Sequence, residues 1–379
     1  MSAINKPKLL VAADSYLPRW DGIARTLSEL LPQMTQDFEI RLIIPDYPGE
    51  RPSLEGVTYV PLPLIPLVHS GDFRFPCVLP WVIKRQLEWA DILWTHTAVS
   101  IGGTCIREAA KQNVPIVSMI HSAEWVVYGK AALIAKQLAE LVWLWIARKR
   151  YGKANILLTP GETTKQELLN ANFQEQIATT PPGVNLDQFS PLPKQAIAAH
   201  RQSLGLPTDR PLIGYVGRFG PEKSLETLIE AHANIEAETN AHLVLVGGLR
   251  QEIRSKHFGK NVTVVGPTVD PHLYYQAMDV YVLTSLTESF PLGILEAMAC
   301  GVTPVSTPVG AIPTFISSGK NGLLFQPKNV GELSRHLKIL LADKTKLESL
   351  GQAARKTVED GYTWKAAAAR ITRHIQDHL

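Results

Sequence analysis

Short apolar runs rich in β-branched residues alternate along this chain with amphipathic segments of helical length. The first series is Leu9–Ala13, Arg41–Ile44, Ile92–Trp94, Ile116–Ile120 and Ile156–Thr159, and the second is Leu212–Val216, Leu243–Val246, Val262–Val265, Val280–Leu283 and Thr303–Ser306. Parallel strands cannot be joined by a tight turn and are usually connected through a helix. The alternation therefore predicts βαβ units and parallel sheets.

The chain of 379 residues is too long for one ordinary core and suits two domains. Prolines and a glycine between Pro181 and Pro193 interrupt any regular element, and the second series of strands begins after them. We expect two doubly wound α/β domains, at 1–183 and 184–361, with a cleft between them. A C-terminal helix at about 362–379 is expected to pack back on the first domain.

Bulk properties exclude several classes of protein. A net charge of +3 gives no general nucleic-acid footprint, which needs a clustered basic face. Cys77, Cys105 and Cys300 fit neither a disulfide framework nor a zinc site, and we expect each to be a small buried residue. No apolar run is long enough for a signal peptide or a membrane span. We expect a cytoplasmic protein, either free or peripheral on the cytoplasmic face of a membrane.

The most informative stretch is ESFPLGILEAMACG at residues 288–301, directly after a strand. Ser289 or Pro291 suits a helix start and Gly301 its end. The free N–H groups of such a first turn bind phosphate without a metal ion. Glu288 and Glu296 could both reach this site, where a carboxylate accepts hydrogen bonds from sugar or ribose hydroxyls. The alternative is that Glu288 is a loop residue and Glu296 an exposed helix position.

A second motif, GRFGPEK at residues 217–223, follows the strand Leu212–Val216. Arg218 and Lys223 could converge there on one diphosphate, the first through its fork and the second as a point charge. The motif is neither a Walker A loop nor a dinucleotide-binding fingerprint. A solvated loop with ordinary surface cations is the alternative.

Together these motifs resemble those of glycosyltransferase family 4, whose members are retaining enzymes of GT-B fold, with two Rossmann-like domains. The resemblance is strong over Leu212–Phe325 and looser over Lys8–Asn185. It implies that Arg218 and Lys223 hold the diphosphate, that Glu296 holds the ribose and that Glu288 binds the transferred sugar. Further implied contacts to the donor are backbone groups of Gly293, Ile294 and Leu295, and base contacts at Val265, Gly266 and Val269.

The first half offers fewer site residues. Gly22 follows Asp21 at the start of a helix, where family members often have two glycines, so a simple turn is the alternative to donor binding. His121 follows the strand Ile116–Ile120, and the resemblance places a donor-sugar contact there. His96 has the same placement after Ile92–Trp94, and packing in the core or on the acceptor side is the favoured interpretation.

The segment Lys130–Lys153 combines apolar residues and tryptophans with a basic end. Such a helix could bind an anionic membrane surface, and a core helix with a solvated end is the alternative. The stretch Pro61–Trp89 could add an apolar surface for the acceptor.

The expected reaction is therefore hexosyl transfer from a nucleotide-diphosphate sugar, UDP preferred to GDP, to an acceptor hydroxyl. Arg218, Lys223 and the helix N-terminus would stabilise the leaving diphosphate, Glu288 and His121 would contact the sugar, and domain closure would exclude water. With no Asp-x-Asp motif, we expect neither a metal ion nor another cofactor. The acceptor could be a membrane glycolipid precursor, or a soluble sugar or polyol. A nucleotide-sugar epimerase, a solute-binding protein and an inactive nucleotide-sugar binder remain open.

Overall fold

The computed structural model describes residues 6–70, 73–123, 125, 136–248 and 260–379. The chain divides into two compact units. Unit 1 comprises Met1–Pro182 together with Trp364–Leu379, and unit 2 comprises Gly183–Thr363. The division at Pro182 falls next to the break expected from the prolines.

Unit 1 contains a seven-stranded parallel sheet of strand order β3-β2-β1-β6-β7-β8-β9. Its strands are β1 (Lys8–Ala12), β2 (Glu39–Pro45), β3 (Val57–Leu62), β6 (Ile92–Thr95), β7 (Ile116–Met119), β8 (Ile156–Thr159) and β9 (Gln176–Thr179). A separate antiparallel hairpin is formed by β4 (Leu64–Ser70) and β5 (Phe73–Pro76). The hydroxyl of Tyr47 ties it to the domain, since it accepts from the Arg74 amide at 3.2 Å and donates to the Arg74 carbonyl at 3.1 Å.

Helices cover both faces of this sheet. They are α1 (Gly22–Met34), α2 (Pro80–Leu87), α3 (Ile101–Gln112), α4 (Lys136–Tyr151), α5 (Glu162–Asn170) and the C-terminal helix α14 (Trp364–Gln376). α1 and α14 share one core with alternate residues of β1, such as Leu9 and Val11. α2 to α5 share the other core with Leu10 and Ala12. Because β1 is buried on both faces, it is a continuous apolar run rather than an alternating one.

Unit 2 contains a six-stranded parallel sheet of order β12-β11-β10-β13-β14-β15. Its strands are β10 (Leu212–Val216), β11 (His242–Val246), β12 (Val262–Val265), β13 (Val280–Leu283), β14 (Thr303–Ser306) and β15 (Leu323–Leu324). Its helices are α6 (Lys194–Ser203), α7 (Leu225–Ala233), α8 (Glu236–Thr239), α9 (Pro271–Tyr275), α10 (Leu292–Ala299), α11 (Ile312–Phe315), α12 (Val330–Ala342) and α13 (Lys344–Gly361), with a 3₁₀ turn at Pro221–Lys223.

In each sheet, successive strands are added first toward one edge and then toward the other, and this change of direction occurs at one place. The reversal lies between β1 and β6 in unit 1 and between β10 and β13 in unit 2. Ligands of such open sheets bind outside the carboxyl ends of the strands at this switch point. The loops after these four strands are therefore where the site residues should be sought.

Local details follow the sequence with one exception, the burial of Cys77. α10 begins after Pro291 and is followed by Gly301 at φ 74°, as the expected glycine stop requires. Cys105 and Cys300 are buried, but Cys77 is only half-buried, contrary to expectation. The Lys130–Lys153 helix is described from Lys136, and Lys130–Ala135 lie outside the described residues. No helix in the described part of the chain is long and apolar enough to cross a bilayer.

The C-terminal helix makes a prediction about stability possible. Trp364 is 4% exposed and packs in the core beneath α1, although it follows unit 2 in the sequence. We expect Trp364→Ala to lower the free energy of unfolding of unit 1 by about 3–5 kcal/mol, the usual cost of a truncated buried aromatic residue. Urea denaturation measures this. Trp81→Ala, at a tryptophan of unit 1 that is 68% exposed, is the matched control and should change it by about 0.5 kcal/mol or less.

Candidate active site

The loops after β10 and β13 are bonded to each other at the switch point of unit 2. The Leu286 amide donates to the carbonyl of Glu222 at 2.7 Å. The Thr284 hydroxyl donates to the carbonyl of Lys223, also at 2.7 Å. These two hydrogen bonds hold the ends of the two predicted motifs side by side.

Lys223 and Glu288 meet at this junction. The Lys223 ammonium lies 2.6 Å from Oε1 of Glu288, and the two side chains are only 17% and 11% exposed. The Ser285 hydroxyl donates to the same oxygen at 2.6 Å. Two donors, one of them charged, therefore fix the orientation of this carboxylate. Ser285 was not identified from the sequence, although its position in the loop after a strand is the same signal that marked Glu288.

Arg218 is not drawn into this cluster. Its backbone is held, because the Tyr215 hydroxyl donates to its carbonyl at 2.8 Å. Its side chain is 84% exposed and contacts Glu222 at 3.3 Å. Exposed pairs of this kind contribute little to stability, so the guanidinium can change partners at small cost.

Glu296 lies in the middle of the apolar helix α10 and is 3% exposed. The Tyr275 hydroxyl, from α9, donates to its Oε2 at 3.0 Å. The alternative of an exposed helix position for Glu296 is therefore wrong. A carboxylate is costly to bury among apolar side chains unless it is hydrogen-bonded, so Tyr275 is part of the reason that Glu296 can lie here.

The first turn of α10 contains the predicted backbone contacts. Pro291 caps this helix without a side-chain hydrogen bond, and the first turn holds no acidic residue. The side chains of Ile294 and Leu295 are buried in the core, so only their backbone could contact a ligand. At Gly293 a Cβ would lie 3.0 Å from the Tyr275 hydroxyl and 3.1 Å from that of Tyr281. The glycine thus lets the helix start pack tightly against both tyrosines.

Gly310 is a further residue of this site that the sequence analysis missed. It lies in the loop after β14 with φ of 61°, and a Cβ there would overlap the carbonyl oxygen of Glu288. The Ala311 amide donates to the Ser289 carbonyl at 3.2 Å. In the sheet, β13 lies between β10 and β14. The loop after β14 therefore supports Glu288 from one side, and the loop that contains Lys223, after β10, lies on the other side. A glycine just after an apolar strand was the available signal.

The predicted base contacts lie at the end of the edge strand β12. Val265 is its last residue and packs partly against the core, whereas Val269 is 89% exposed. The chain continues from here into α9, whose Tyr275 bonds Glu296. The segment with the predicted base contacts is therefore connected, through α9 and Tyr275, to Glu296, the predicted ribose ligand.

At the start of α1, Asp21 rather than Gly22 makes the specific contacts. The Asp21 carboxylate accepts from the amides of Ile23 at 3.0 Å and Ala24 at 2.9 Å, and it pairs with Arg19. A phosphate at this helix start would have to compete with the carboxylate for those amides. At Gly22 a Cβ would meet nothing within 4 Å, so no close approach in the structure requires the glycine. Its role in donor binding remains a prediction.

His121, after β7, forms a pair with His96, which follows β6 at the switch point of unit 1. Nε2 of His121 lies 3.0 Å from Nδ1 of His96, and the two rings are stacked. Burial lowers the pKa of His121 to about 4, although the carboxylate of Asp21 acts in the opposite direction. Burial also lowers the pKa of His96, with a smaller contribution from His121. Both imidazoles are therefore neutral at physiological pH.

Asp14 is a buried carboxylate that the sequence analysis did not single out. It directly follows the apolar run of β1 and is 5% exposed. It accepts from the amides of Ser100 at 3.2 Å and Ile101 at 2.5 Å, and from the Thr97 hydroxyl. Burial raises its pKa, while these hydrogen bonds act to lower it. Asp14 therefore links the loop after β1 to the start of α3.

Two further observations delimit the site. Among the described residues, no group of three or more His, Cys, Asp or Glu side chains is placed to hold a metal ion. A cleft of about 530 Å³ in unit 2 contains Arg201, Asp279 and Thr303. These residues lie at the amino ends of the strands, and Arg201 pairs with Asp279 at 2.9 Å. That cleft contains none of the predicted site residues, and strand geometry places ligand sites at the opposite ends.

Comparison with known proteins decides the family. Residues 196–357 match the family model for glycosyl transferases group 1, and residues 20–188 match the model for glycosyltransferase family 4. A D-inositol 3-phosphate glycosyltransferase of Xylanimonas cellulosilytica is 31% identical over 76% of this chain and 72% of its own length. The chain belongs to glycosyltransferase family 4.

Two other relatives of this chain have names that specify different activities. The sulfoquinovosyl transferase SQD2 of Arabidopsis thaliana is 30% identical over 79% of this chain, and the match spans only 62% of the plant protein. The alpha-monoglucosyldiacylglycerol synthase of Acholeplasma laidlawii is 24% identical over 86% of both chains. The expectation of a glycosyltransferase enzyme of the hexosyltransferase class is confirmed at this level.

The GT-B fold of this family is confirmed as well. The Anabaena protein HepE, solved with UDP and glucose, superposes with a TM-score of 0.76 over 98% of this chain and 99% of its own. The sequence identity is 17%, so this likeness supports the architecture alone.

The support that Gly310 gives to Glu288 can be tested. We expect Gly310→Ala to displace Glu288 and to lower turnover by about 100-fold, the order of effect that a shift of about 1 Å has at a reacting centre. Steady-state kinetics with a nucleotide-sugar donor measure it. Gly319→Ala is the matched control, because Gly319 also has a positive φ, of 83°, but a Cβ there meets nothing within 4 Å. Equal losses of turnover in both variants would contradict a specific role for Gly310.

Proposed function

We propose that this family 4 glycosyltransferase transfers a hexosyl group from a nucleotide-diphosphate sugar to an acceptor hydroxyl with retention of anomeric configuration. The observation that supports it best is the fixed carboxylate of Glu288 beside Lys223, in the loop that leads into α10. A cation, a carboxylate and the positive end of a helix dipole thus lie in one region of unit 2, which supports the proposal.

Each residue of this region then has a distinct role. Lys223 and Arg218 bind the diphosphate, the first from a fixed position and the second from an exposed one. The backbone at Gly293, Ile294 and Leu295 approaches the phosphates. Glu296, held by Tyr275, accepts hydrogen bonds from the ribose, and the base lies against Val265, Gly266 and Val269.

The chemistry requires stabilisation of a departing diphosphate. The bond from the anomeric carbon to the diphosphate oxygen breaks, and a bond to the acceptor oxygen forms on the same face of the sugar. The proton of the acceptor hydroxyl passes to the leaving phosphate oxygen. The positive charges of Arg218 and Lys223 and the start of α10 stabilise the charge that develops on that oxygen. We propose no metal ion for this step, because these groups can supply the positive charge. Glu288 contacts the transferred sugar.

We expect replacement of Glu296 and of Glu288 to change different kinetic constants. We expect Glu296→Gln to raise the donor KM by about 10- to 100-fold, as for a lost hydrogen bond to a charged group. We expect Glu288→Gln to lower kcat by at least about tenfold, because Lys223 and Ser285 would no longer hold a carboxylate at the sugar. Glu230→Gln, on the exposed surface of α7, is the control and should leave both constants unchanged. Wild-type kcat in Glu288→Gln at unchanged folding would refute the role of Glu288.

The donor itself can be identified by thermal-shift screening of UDP- and GDP-sugars against the wild-type chain. A ligand at a hundredfold excess over its Kd stabilises the folded state by about 2.7 kcal/mol. UDP-sugars are the first choice, since HepE, which shares the fold, was solved with UDP and glucose. Turnover with an acceptor would separate the transferase from an epimerase and from an inactive binder.

The acceptor side is proposed from helix α4. Leu138, Leu141, Val142 and Trp145 are 62%, 63%, 48% and 57% exposed and lie three or four residues apart on one face of the helix. The Lys149 ammonium lies 4.2 Å above the Trp145 ring at the end of this apolar face. The alternative considered from the sequence, a core helix with a solvated end, therefore applies to only part of α4. We propose that this face binds an anionic membrane surface and that the acceptor is a membrane glycolipid precursor.

The basic end of α4 is smaller than the sequence indicated. Arg148 donates to the carbonyl of Ala171 at 2.7 Å, and Arg150 donates to the carbonyl of Val99 at 2.6 Å. Both arginines are thus engaged within unit 1, although Arg148 is exposed, whereas the exposed Lys149 and Lys153 extend the positive charge of this end. The membrane contact proposed here depends more on the apolar face than on charge. The name of the Acholeplasma laidlawii relative, which specifies a diacylglycerol product, supports a lipid acceptor.

Vesicle flotation tests this part of the proposal. We expect the wild-type chain to float at low salt with vesicles that contain phosphatidylglycerol, and Leu141→Glu to reduce the bound fraction at least about tenfold, because it places a charge at the centre of the apolar face. Leu169→Glu is the matched control on α5, since Leu169 is also exposed but lies on a different helix. Absence of flotation by the wild type would refute the membrane contact and favour a soluble sugar or polyol as acceptor.

A further inference from the structure

His96 and His121 follow neighbouring strands and share a single hydrogen bond. β6 and β7 pair in parallel register, from Leu93 opposite Ile116 to Thr95 opposite Ser118. His96 is the first residue after β6, and its amide donates to the carbonyl of Ala12 at 3.0 Å. Its ring is completely buried, whereas that of His121 is half-buried. The strand pairing therefore fixes the partner that His121 meets through Nε2.

The bond between Nδ1 of His96 and Nε2 of His121 contains one proton, because both rings are neutral. A neutral imidazole has one N–H and one bare nitrogen. Either His96 donates through Nδ1 and leaves its Nε2 bare, or His121 donates through Nε2 and His96 carries its proton on Nε2. The surroundings of Nε2 of His96 distinguish the two arrangements.

Nε2 of His96 is buried and has no hydrogen-bond partner in the described structure. The ring of Trp94 packs against the ring of His96, with centroids 4.3 Å apart. The indole Nε1 of Trp94 is also buried without a partner, and an indole nitrogen can only donate. A proton on Nε2 of His96 would therefore add a second orphaned donor to this core, and buried N–H groups without acceptors are rare. A bare Nε2 avoids this second orphaned donor and is therefore the arrangement with the lower cost.

We infer that His96 is a positioning residue, whose Nδ1–H donates to Nε2 of His121 and thereby fixes the proton of His121 on Nδ1. His121 is partly exposed as a residue, and no hydrogen bond joins its Nδ1 to another described residue. Nδ1–H is therefore the group of His121 that is left to donate to a ligand, as an uncharged donor. Nδ1 cannot act as a general base in this form, because it already carries the proton.

The use of this donor rests on the proposed function. In a glycosyltransferase, Nδ1–H of His121 would donate to a hydroxyl oxygen of the transferred sugar. The nearby charged group is Asp21, whose carboxylate favours protonation of His121. Burial of the pair outweighs this influence, so the donor stays neutral over the physiological pH range.

The tautomer can be observed directly by long-range ¹⁵N–¹H NMR of the full chain labelled at histidine, at pH 7.5. The His121 signals are assigned by their loss in His121→Asn. We expect the protonated nitrogen of His121 to be Nδ1 in the wild type. In His96→Phe, which keeps a ring in the core but removes the donor, we expect the proton to move to Nε2, the form that free neutral histidine prefers.

Ser118→Ala is the matched control for this measurement. It removes the buried hydrogen bond of 2.9 Å between Ser118 and Thr95, which joins the same two strands, but it leaves His96 in place. We expect it to preserve the Nδ1–H form of His121. A wild-type His121 with its proton on Nε2 overturns the inference even if His96→Phe does not fold. A change of tautomer in Ser118→Ala equal to that in His96→Phe also overturns it, since the effect would then be general.

Kinetics separate this inference from the proposed function. We expect His96→Phe to raise the donor KM by about five- to tenfold, as for the loss of one neutral hydrogen bond. A changed tautomer with an unchanged KM overturns the positioning role while leaving the transferase intact. If the wild type turns over no nucleotide sugar, the proposed function fails, and the NMR result still decides the tautomer.

Discussion

The pairing of β10 with β13 is the constraint on which the site in unit 2 depends. These strands are neighbours in the sheet, although 63 residues separate the end of one from the start of the other along the chain. Their carboxyl ends lie together, so the loop that contains Lys223 meets the loop that contains Glu288. Two contacts at 2.7 Å to the backbone carbonyls of Glu222 and Lys223, one from the Leu286 amide and one from the Thr284 hydroxyl, fix that junction. The same geometry at β1 and β6 brings Asp14 to Thr97 and the start of α3.

The buried acids show how such a junction tolerates charge. A carboxylate removed from water is expensive unless donors surround it. Glu288 has the Lys223 ammonium and the Ser285 hydroxyl, Glu296 has the Tyr275 hydroxyl, and Asp14 has two backbone amides and the Thr97 hydroxyl. Each donor comes from a loop or helix near the carboxyl end of a strand. The hydrogen bonds that these carboxylates accept therefore also fix the loops that would contact a ligand.

The sequence predicted the parts of this arrangement that depend on local pattern. Continuous β-branched runs gave the ten strands of the two series, because buried parallel strands must be apolar on both faces. Gly301 and Pro291 gave the ends of α10. The hairpin β4–β5 was not predicted, since Pro61–Trp89 lacks clear alternation and the tie from Tyr47 to Arg74 is a tertiary contact.

The sequence pattern could not predict which residues from different strands and loops contact each other. The sequence placed Lys223 and Glu288 at strand ends but could not show that they pair, and it gave no reason to connect Gly310 with Glu288. It also placed Arg218 with Lys223, whereas Arg218 contacts Glu222, four residues away. His96 was interpreted as packing because its side-chain hydrogen bond to His121 exists only once β6 and β7 are aligned.

The pairing of Lys223 with Glu288 is compatible with both of their proposed roles. An ammonium group has three N–H donors, and Glu288 is the partner of one of them in the described structure. The others can bind phosphate oxygens without breaking the ion pair, so a bound diphosphate need not leave Glu288 as an uncompensated buried charge. Arg218 is the residue that must exchange its partner, and its pair with Glu222 is exposed and weak. Under the proposed function, Lys223 would thus be a fixed cation that orients the carboxylate of Glu288, and Arg218 would be the cation that changes partner to follow the leaving group.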